Sequence, residues 1–211
     1  MNKDEFKKYT KELGIELTEQ QLSQLDKFYK LLIEWNEKIN LTRITDEKEV
    51  YLKHFYDSLT ISKVINLKEK KTLCDVGTGA GFPGIVLKIV YPNLRITLVD
   101  SLLKRVNYLN EIIKDLELND IEAIHIRGED FRGSFDVVTS RAVANIEKLL
   151  NYTMHLVDKK GLFIAMKGNI DNELTNTVRR KIEKKFIIDR IEKFLLPIEE
   201  SQRSILIIRK K

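Results

Sequence analysis

Four glycines stand within eight residues, between a strand-like segment and a helix-like one, and they constrain the fold of this chain more than any other feature. The run covers residues 77–84 and follows the apolar residues 72–76. Glycine lets a backbone turn tightly and approach a ligand closely. Pro83, near the end of the run, suits the first turn of a helix. The pattern predicts a strand, a ligand-binding loop and a helix in direct succession.

Strand-like and helix-like segments alternate after this loop. The expected strands are 72–76, 95–100, 123–127, 135–140, 162–166, 186–195 and 204–209, and further helices are expected over 102–116 and 145–157. Strands that alternate with helices form a parallel sheet covered on both faces. The last two strands have no helix between them, and so short a connection joins antiparallel neighbours. We therefore expect an α/β fold with a Rossmann-like, mostly parallel sheet and a terminal antiparallel hairpin.

The N-terminal residues have a different character, because their apolar side chains recur with a helical period. A capping-box spacing begins at Thr18. The apolar residues that follow it at helical spacing are Leu22, Leu25, Phe28, Tyr29, Leu32 and Trp35. Other helices are expected over 3–13 and, irregularly, over 46–64. Since no Pro/Gly-rich linker follows, we predict a helical extension, residues 1–65, packed on a core domain, residues 66–211.

The end of the second expected strand carries an acid, Asp100, 23 residues after Gly77. A carboxylate there accepts hydrogen bonds from ribose hydroxyls, so the pair predicts a nucleotide-like ligand. The Gly-x-Gly-x-x-Gly pattern that starts at Gly79 leaves a nicotinamide-dependent oxidoreductase open. Asp75, just before the glycines, would repel a pyrophosphate. It suits S-adenosylmethionine instead, which has an amino group, a sulfonium and no phosphate.

Composition excludes several other classes. Cys74 is the only cysteine, which rules out an intramolecular disulfide and indicates a reducing compartment. One cysteine and three scattered histidines argue against a structural zinc site, and we expect no metal. The N-terminus is charged where a signal peptide needs an apolar stretch, and no apolar run approaches the ~18 residues of a membrane span. We expect a cytoplasmic, globular monomer with no membrane partner.

Charge is distributed unevenly along the chain. The formal net charge of +5 divides into −2 for residues 1–158 and +7 for residues 159–211. The basic residues concentrate over 179–185, where five positive charges accompany one negative charge. Lys and Arg displace counterions from phosphates, so this pattern predicts an anionic partner such as a nucleic acid. A solvated basic face with no partner is the alternative.

Five short motifs, in order, resemble those of the glucose-inhibited division protein B family, also called RsmG. They are Asn40-Leu41-Thr42-Arg43-Ile44, His54-Phe55-Tyr56-Asp57-Ser58-Leu59, the segment 75–84, Arg127-Gly128-Glu129-Asp130 and Ser140-Arg141-Ala142-Val143. Members of that family are class I methyltransferases that use S-adenosylmethionine to methylate N7 of a guanine in 16S ribosomal RNA. The resemblance spans nearly the whole chain. It implies the class I methyltransferase fold, S-adenosylmethionine as cofactor, and 16S ribosomal RNA or the small-subunit particle as partner.

The expected cofactor contacts come from two sources. The resemblance implies contacts at Gly77, Phe82, Gly128, Glu129 and Arg141. The pattern at the strand ends adds Asp75, Gly79, Gly81 and Asp100. Two alternatives to a methyltransferase remain open at this point, the oxidoreductase and a non-catalytic RNA-binding protein with a nucleotide-binding fold.

The expected reaction constrains the other polar residues. Guanine N7 has a lone pair and no proton, so methyl transfer to it needs positioning and exclusion of water but no general base. The residues expected to do the positioning are Arg141, Arg127, Lys167, His54 and Asp57. The cations would hold RNA phosphate or guanine O6, and the His54 motif would fold over the cleft. A structural salt bridge of Arg141 with Glu129 or Asp57, and a structural role for His54, are the alternatives.

Overall fold

A seven-stranded sheet forms the centre of the structure, a computed structural model that describes residues 1–141 and 144–211. The strands within those residues are β1 (Thr72–Val76), β2 (Arg95–Asp100), β3 (Ile121–His125), β4 (Phe135–Arg141), β5 (Val157–Lys167), β6 (Phe186–Leu195) and β7 (Gln202–Lys210). Their order across the sheet is β3-β2-β1-β4-β5-β7-β6. Ala142 and Val143, which belong to the last sequence motif, lie outside the described residues.

Strand direction follows the sequence expectation. Strands β1 to β5 run parallel, and β7 runs antiparallel to both of its neighbours, β5 and β6. Inner strands of such a sheet are nearly continuous apolar runs because helices cover both faces. In β2, residues 96–100 are all buried. The predicted α/β fold, with a mostly parallel sheet and a terminal antiparallel hairpin, is confirmed.

Several strand boundaries differ from the expected ones, most clearly the starts of β3 and β5. β3 begins two residues early because Ile121 pairs with Ile96 of β2. β5 begins at Val157, where the sequence predicts the end of a helix, because Val157 pairs with Phe135 of β4. The pairing of β4 with β5 then shifts in register, and the exposed polar residues 158–160 stand out before β5 rejoins β4.

Helices pack on both faces of the sheet. They are α1 (Lys3–Glu12), α2 (Glu19–Ile39), α3 (Glu47–Val50), α4 (Asp57–Leu59), α5 (Gly84–Val90), α6 (Leu103–Asp115), α7 (Ile146–Thr153) and α8 (Asn176–Lys185). Side chains of successive strand residues point to opposite faces. Leu73 of β1 accordingly belongs to the core shared with α1, α2, α5 and α6, whereas Cys74 belongs to the core shared with α7 and α8.

The longest helix, α2, joins the N-terminal helices to the sheet. Thr18 caps it as the capping-box spacing predicts, since its side chain accepts a hydrogen bond from the backbone of the third helical residue. Phe28, on the buried stripe of α2, packs against Phe82 with ring centroids 5.4 Å apart. No helix among the described residues has both the length and the apolar character needed to cross a bilayer. The domain division near residue 65 stays a prediction.

Between residues 47 and 63 the backbone is helical throughout, but its hydrogen-bond pattern changes. α3 is followed by a π-helical segment (Tyr51–Tyr56), the short α4 and a 3₁₀ turn (Thr60–Lys63). This confirms the extent of the irregular helix expected after Asp46. Residues three apart lie on one side of a helix, so His54 and Asp57 face the same part of the sheet edge. Short π-helical segments are frequent at functional sites.

Candidate active site

Two cavities open at the carboxyl ends of the parallel strands. The strand order reverses between β1 and β4, and such a reversal creates a crevice in an open α/β sheet. The Asp100 cavity has a volume of about 300 Å³, and its lining includes Gly77, Asp100, Arg127, Gly128 and Glu129. The Arg141 cavity has a volume of about 380 Å³, and its lining includes His54, Asp57, Gly77, Gly79, Phe82, Arg141 and Lys167. Gly77 borders both, so the two cavities adjoin.

Asp100 fixes the backbone around the first cavity. One carboxylate oxygen accepts a hydrogen bond from the Leu102 backbone N–H at 2.9 Å, and the other accepts one from the Gly79 N–H at 3.0 Å. A carboxylate has about four acceptor sites, so it keeps capacity for a ligand hydroxyl. The acid thus connects the start of α6 to the glycine loop while it borders the cavity.

The glycines of the loop have different roles. Gly79 has φ +61°, and a Cβ atom placed on it would meet nothing closer than 4.0 Å, so its surface faces open space. A Cβ atom on Gly81 would lie 2.6 Å from Ile85 Cγ1, and one on Gly84 would lie 2.2 Å from Leu98 Cδ2. Gly81 is therefore needed for packing. Gly81 borders neither cavity, and the expected cofactor contact there stays a prediction.

Asp75 lies beneath the same glycine loop. Its side chain is fully buried and borders neither cavity. One of its carboxylate oxygens accepts hydrogen bonds from Thr78 Oγ1 at 2.7 Å and from the Gly84 N–H at 2.9 Å. Burial raises the pKa of Asp75 to about 6. Asp75 therefore holds the glycine loop from beneath through this oxygen, and the expected cofactor contact at Asp75 stays a prediction.

The segment that follows β3 contributes a glycine, an acidic residue and a basic residue to the Asp100 cavity. A Cβ atom on Gly128 would lie 2.7 Å from Val76 Cγ1, so only glycine allows this close approach. The Arg127 side chain is 74% exposed and lies 4.0 Å from the Glu129 carboxylate. The structure therefore places Arg127 at the Asp100 cavity, apart from the other two cations expected to position the substrate, Arg141 and Lys167.

Arg141 is the last residue of β4 and lies at the centre of a charge cluster. Its Nη1 donates to Asp57 Oδ2 at 3.2 Å and to the Lys53 carbonyl at 3.0 Å. Arg203 Nε donates to the other Asp57 oxygen at 3.1 Å. The salt bridge is therefore made with Asp57 and not with Glu129. One carboxylate between two guanidinium groups leaves a net positive charge at the cavity.

His54 is held as a neutral ring. It stacks on Phe82, with centroids 4.5 Å apart and planes 19° apart, and the Arg141 guanidinium carbon lies 5.1 Å from the same Phe82 ring. Burial, with the positive charge of Arg141, lowers the pKa of His54 to about 3. Phe82 is buried and packs against Phe28, yet it borders the cavity, so it combines a core position with a site position.

The lining of the Arg141 cavity also includes Thr42, Lys53 and Arg203, which were not among the site residues expected from sequence. Lys167, which was anticipated, ends β5 and contacts the Glu173 carboxylate at 3.0 Å and the Ala144 carbonyl. The position of Arg203 at this cavity could have been inferred from the predicted strand directions. Because β7 runs antiparallel to β5, its first residues lie where β5 ends, and Lys167 pairs with Ser204. A polar residue at the start of β7 is therefore brought to the active edge.

Sheet order and cavity position together define the class I methyltransferase fold. Among solved structures, a SAM dependent methyltransferase from Aquifex aeolicus is similar, with a TM-score of 0.58 at 18% identity, over 77% of this chain and 93% of that one. At that identity the likeness concerns the fold. The antiparallel β7 between β5 and β6 completes the sheet of this class.

The family follows from sequence comparison. The model of the family described as rRNA small subunit methyltransferase G matches residues 21–206. Relatives with the name ribosomal RNA small subunit methyltransferase G are 45% identical in Bacillus subtilis (strain 168) and 46% identical in Oceanobacillus iheyensis. These alignments cover all of this chain and 91% and 92% of the relatives. The chain belongs to this family, and the resemblance inferred from its motifs is confirmed.

Proposed function

We propose that this chain transfers the methyl group of S-adenosylmethionine to N7 of a guanine in 16S ribosomal RNA. As a member of its family it is an S-adenosylmethionine-dependent methyltransferase that acts on small-subunit ribosomal RNA. The single observation that carries the finer assignment is the pair of adjoining cavities that meet at Gly77, one lined by the carboxylates of Asp100 and Glu129 and the other by the guanidinium groups of Arg141 and Arg203. The family membership leaves neither an oxidoreductase nor a non-catalytic RNA-binding protein with support.

The Asp100 cavity fits the nucleoside part of this cofactor. Asp100 and Glu129 present two carboxylates there, which suit ribose hydroxyls and repel phosphates. Gly77 and Gly128 provide backbone without side chains on either side of it. Asp100, Glu129 and these glycines would hold the cofactor. S-adenosylmethionine supplies an electrophilic methyl group on its sulfonium.

The Arg141 cavity fits a nucleotide with an anionic backbone. Arg141 and Arg203 share the single carboxylate of Asp57, so this cluster keeps a net positive charge, and Lys167 at the same cavity pairs with Glu173. Guanidinium and ammonium groups bind phosphate and the O6 atom of guanine. A base presented to this cavity would lie next to the part of the cofactor beyond Gly77, which satisfies the need for proximity.

The same cavity is poorly suited to removing a proton, which agrees with attack by guanine N7. His54, with a pKa of about 3, is a weak base, and its Nδ1 atom lies 3.2 Å from an Arg141 nitrogen. Both oxygens of Asp57 accept hydrogen bonds from arginine. Guanine N7 carries no proton, so the reaction asks these residues for orientation and charge rather than for base catalysis.

RNA contact extends in this proposal to α8. Arg179 pairs with Glu183 and Lys181 pairs with Glu147. Arg180 and Lys184 have no acid partner among residues 1–141 and 144–211 and are exposed. Unpaired surface cations are those that phosphates attract, because no ion pair has to be broken. The monomeric state and the cytoplasmic location stay predictions.

The test is a methylation assay with purified 16S ribosomal RNA and with small-subunit particles lacking the modification. Mass spectrometry of nuclease fragments should find one new N7-methylguanosine that depends on S-adenosylmethionine, and the Arg141→Ala variant should give none. The single-turnover rate at saturating RNA should be nearly constant from about pH 6 to 8.5, since neither N7 nor arginine titrates there. A methyl group found on a protonated nitrogen, or a rate that rises log-linearly with pH, would refute the proposal.

A further inference from the structure

Thr42 occupies a fixed position at the rim of the Arg141 cavity. It lies in the loop between α2 and α3, in a sequence motif whose role the reaction leaves unexplained. The Asn36 side-chain oxygen accepts hydrogen bonds from the backbone N–H groups of Leu41 at 2.7 Å and of Thr42 at 2.8 Å. The loop is therefore tied to the end of α2, and the Thr42 hydroxyl has a defined place.

Two donors converge on the Thr42 hydroxyl oxygen. The Ile44 backbone N–H donates to it at 3.1 Å, and His54 Nε2 lies 3.0 Å from it. The direction of the second hydrogen bond depends on which ring nitrogen of His54 carries the proton. The neighbours of the other nitrogen, Nδ1, decide this.

Nδ1 of His54 lies beside a group that can only donate. Arg141 Nη2 is 3.2 Å away, and a guanidinium has no acceptor atom. The Lys53 carbonyl is also 3.2 Å from Nδ1, and it keeps a second lone pair beside the one that accepts from Arg141 Nη1 at 3.0 Å, so the guanidinium decides the tautomer. A proton on Nδ1 would point at a buried positive charge. The ring therefore keeps its proton on Nε2 and donates it to Thr42.

This arrangement leaves the hydrogen of the Thr42 hydroxyl as its one unused hydrogen-bonding group among the described residues. A hydroxyl accepts two hydrogen bonds and donates one. Both acceptor sites are used, by Ile44 and His54. Among residues 1–141 and 144–211 no acceptor takes the hydroxyl hydrogen, and the residue borders the cavity. The Thr42 hydroxyl is thus a committed donor towards whatever enters the cavity.

We propose that the Thr42 hydroxyl donates a hydrogen bond to O6 of the target guanine and so selects guanine over adenine. This rests on the proposed function. The N7 lone pair is consumed in the attack on the methyl group, so O6 is the acceptor left on that edge of the base. Adenine presents an amino group at the same position, which would face the hydroxyl donor-to-donor.

A double-mutant cycle, which combines protein variants with analogues of the target base, tests the contact between Thr42 and guanine O6. The target guanosine in a 16S RNA fragment is replaced by 2-aminopurine riboside, which keeps N7 and lacks O6, or by inosine, which keeps both. The wild-type chain should methylate inosine nearly as fast as guanosine. Its guanosine to 2-aminopurine rate ratio should exceed that of Thr42→Val by about fivefold to tenfold, the value of one hydrogen bond. Thr42→Ser, which retains the hydroxyl, should keep the wild-type ratio.

Equal ratios for the wild-type and Thr42→Val chains would overturn the proposal while leaving N7 methylation intact. Failure of the wild-type chain to methylate guanosine at all would instead refute the proposed function, and the proposal with it. If Thr42→Val does not fold, nitrogen NMR of the labelled wild-type chain decides. The His54 signals, assigned with His54→Gln, should show a proton on Nε2 and none on Nδ1. A proton on Nδ1 would reverse the hydrogen bond and overturn the proposal.

Discussion

The two cavities at the sheet edge are built in different ways. The Asp100 cavity is assembled from the segments that directly follow β1, β2 and β3, with help from α7. The Arg141 cavity combines the loop after α2, the π-helical segment, the ends of β4 and β5 and the start of β7. The residues of the Asp100 cavity come together because the carboxyl ends of parallel strands lie at one edge of the sheet. The Arg141 cavity depends on contacts between residues more than a hundred positions apart, as Asp57 and Arg203 are.

This difference predicts that a substitution can disrupt the structure of one cavity and leave the other intact. Charges hold the Arg141 cavity together, because Asp57 is the single carboxylate between Arg141 and Arg203. Backbone hydrogen bonds hold the Asp100 cavity together, because Asp100 accepts from Gly79 and Leu102. Substitutions at the two acids should therefore have different signatures.

The largest effect is expected for Asp57→Ala. The change leaves two largely buried guanidinium groups, 15% and 21% exposed, without their shared counter-charge. Breaking a buried ion pair costs about 3–5 kcal/mol, and the residual exposure of the arginines places this case near the lower end. Urea unfolding should show a loss of about 3 kcal/mol, and methyl transfer should fall below detection.

Asp171→Ala is the matched control, because Asp171 pairs with Lys193 on the surface at 56% and 45% exposure. Exposed pairs contribute about 0–1 kcal/mol, so this variant should unfold almost like the wild-type chain. Similar small losses for both variants would mean that Asp57 does not hold the cluster together.

Asp100→Ala should break the other cavity. It removes the proposed ribose acceptor and the acceptor for two backbone N–H groups. Calorimetry should show S-adenosylmethionine affinity reduced by about 1–3 kcal/mol, the range for hydrogen bonds to a charged group. The stacking of His54 on Phe82 should persist. Glu111→Ala, an exposed acid on α6, is the control and should bind the cofactor normally. Unchanged affinity in both variants would place the cofactor elsewhere.

The sequence predicted the sheet and the Asp100 cavity, and it left much of the Arg141 cavity unpredicted. Alternating strands and helices determine which strand ends are neighbours, so Gly77 and Asp100 could be grouped from spacing, whereas Gly128 was expected from the family resemblance. Thr42 stands in one of the sequence motifs and Arg203 at the start of β7, but tertiary packing brings them to the same cavity, and spacing along the chain does not show this. The role of Asp75 was also out of reach, since a fully buried and an open carboxylate have the same letter in a sequence.

A smaller effect concerns the pH dependence of stability, in which two buried titratable residues, His54 and Asp75, oppose each other. The pKa of His54 is lowered to about 3, so between pH 3 and about 6.5 the unfolded chain binds more protons at this residue. Stability from His54 is therefore lost as the pH falls below about 6.5. The pKa of Asp75 is raised to about 6, so its contribution is present below about pH 4 and is lost as the pH rises towards 6.

Two variants separate these contributions. His54→Gln should remove the loss of stability on acidification, so its free energy of unfolding should approach or pass that of the wild-type chain between pH 6.5 and 4.5. The difference should change by at most about 1.4 kcal/mol per pH unit. Asp75→Asn should change the slope of unfolding free energy against pH in the direction opposite to that of His54→Gln. Denaturant unfolding at half-unit pH steps measures both, and parallel curves for all three chains would show that these residues titrate normally.

The smallest effect is expected outside both cavities, on α8. Replacing Arg180 and Lys184 by Gln removes two exposed cations that have no acid partner among the described residues, so folding and S-adenosylmethionine affinity should hardly change. RNA binding should weaken severalfold at low salt. Each lost phosphate contact lowers the slope of log affinity against log salt by about 0.7–0.9, so the slope should flatten by about 1.5.

Lys8→Gln with Lys11→Gln makes the same charge change on α1, at the opposite face of the sheet. If both double variants flatten the slope equally, net charge alone explains RNA affinity. A flattening confined to the α8 variant would establish that the RNA extends beyond the Arg141 cavity and over this helix.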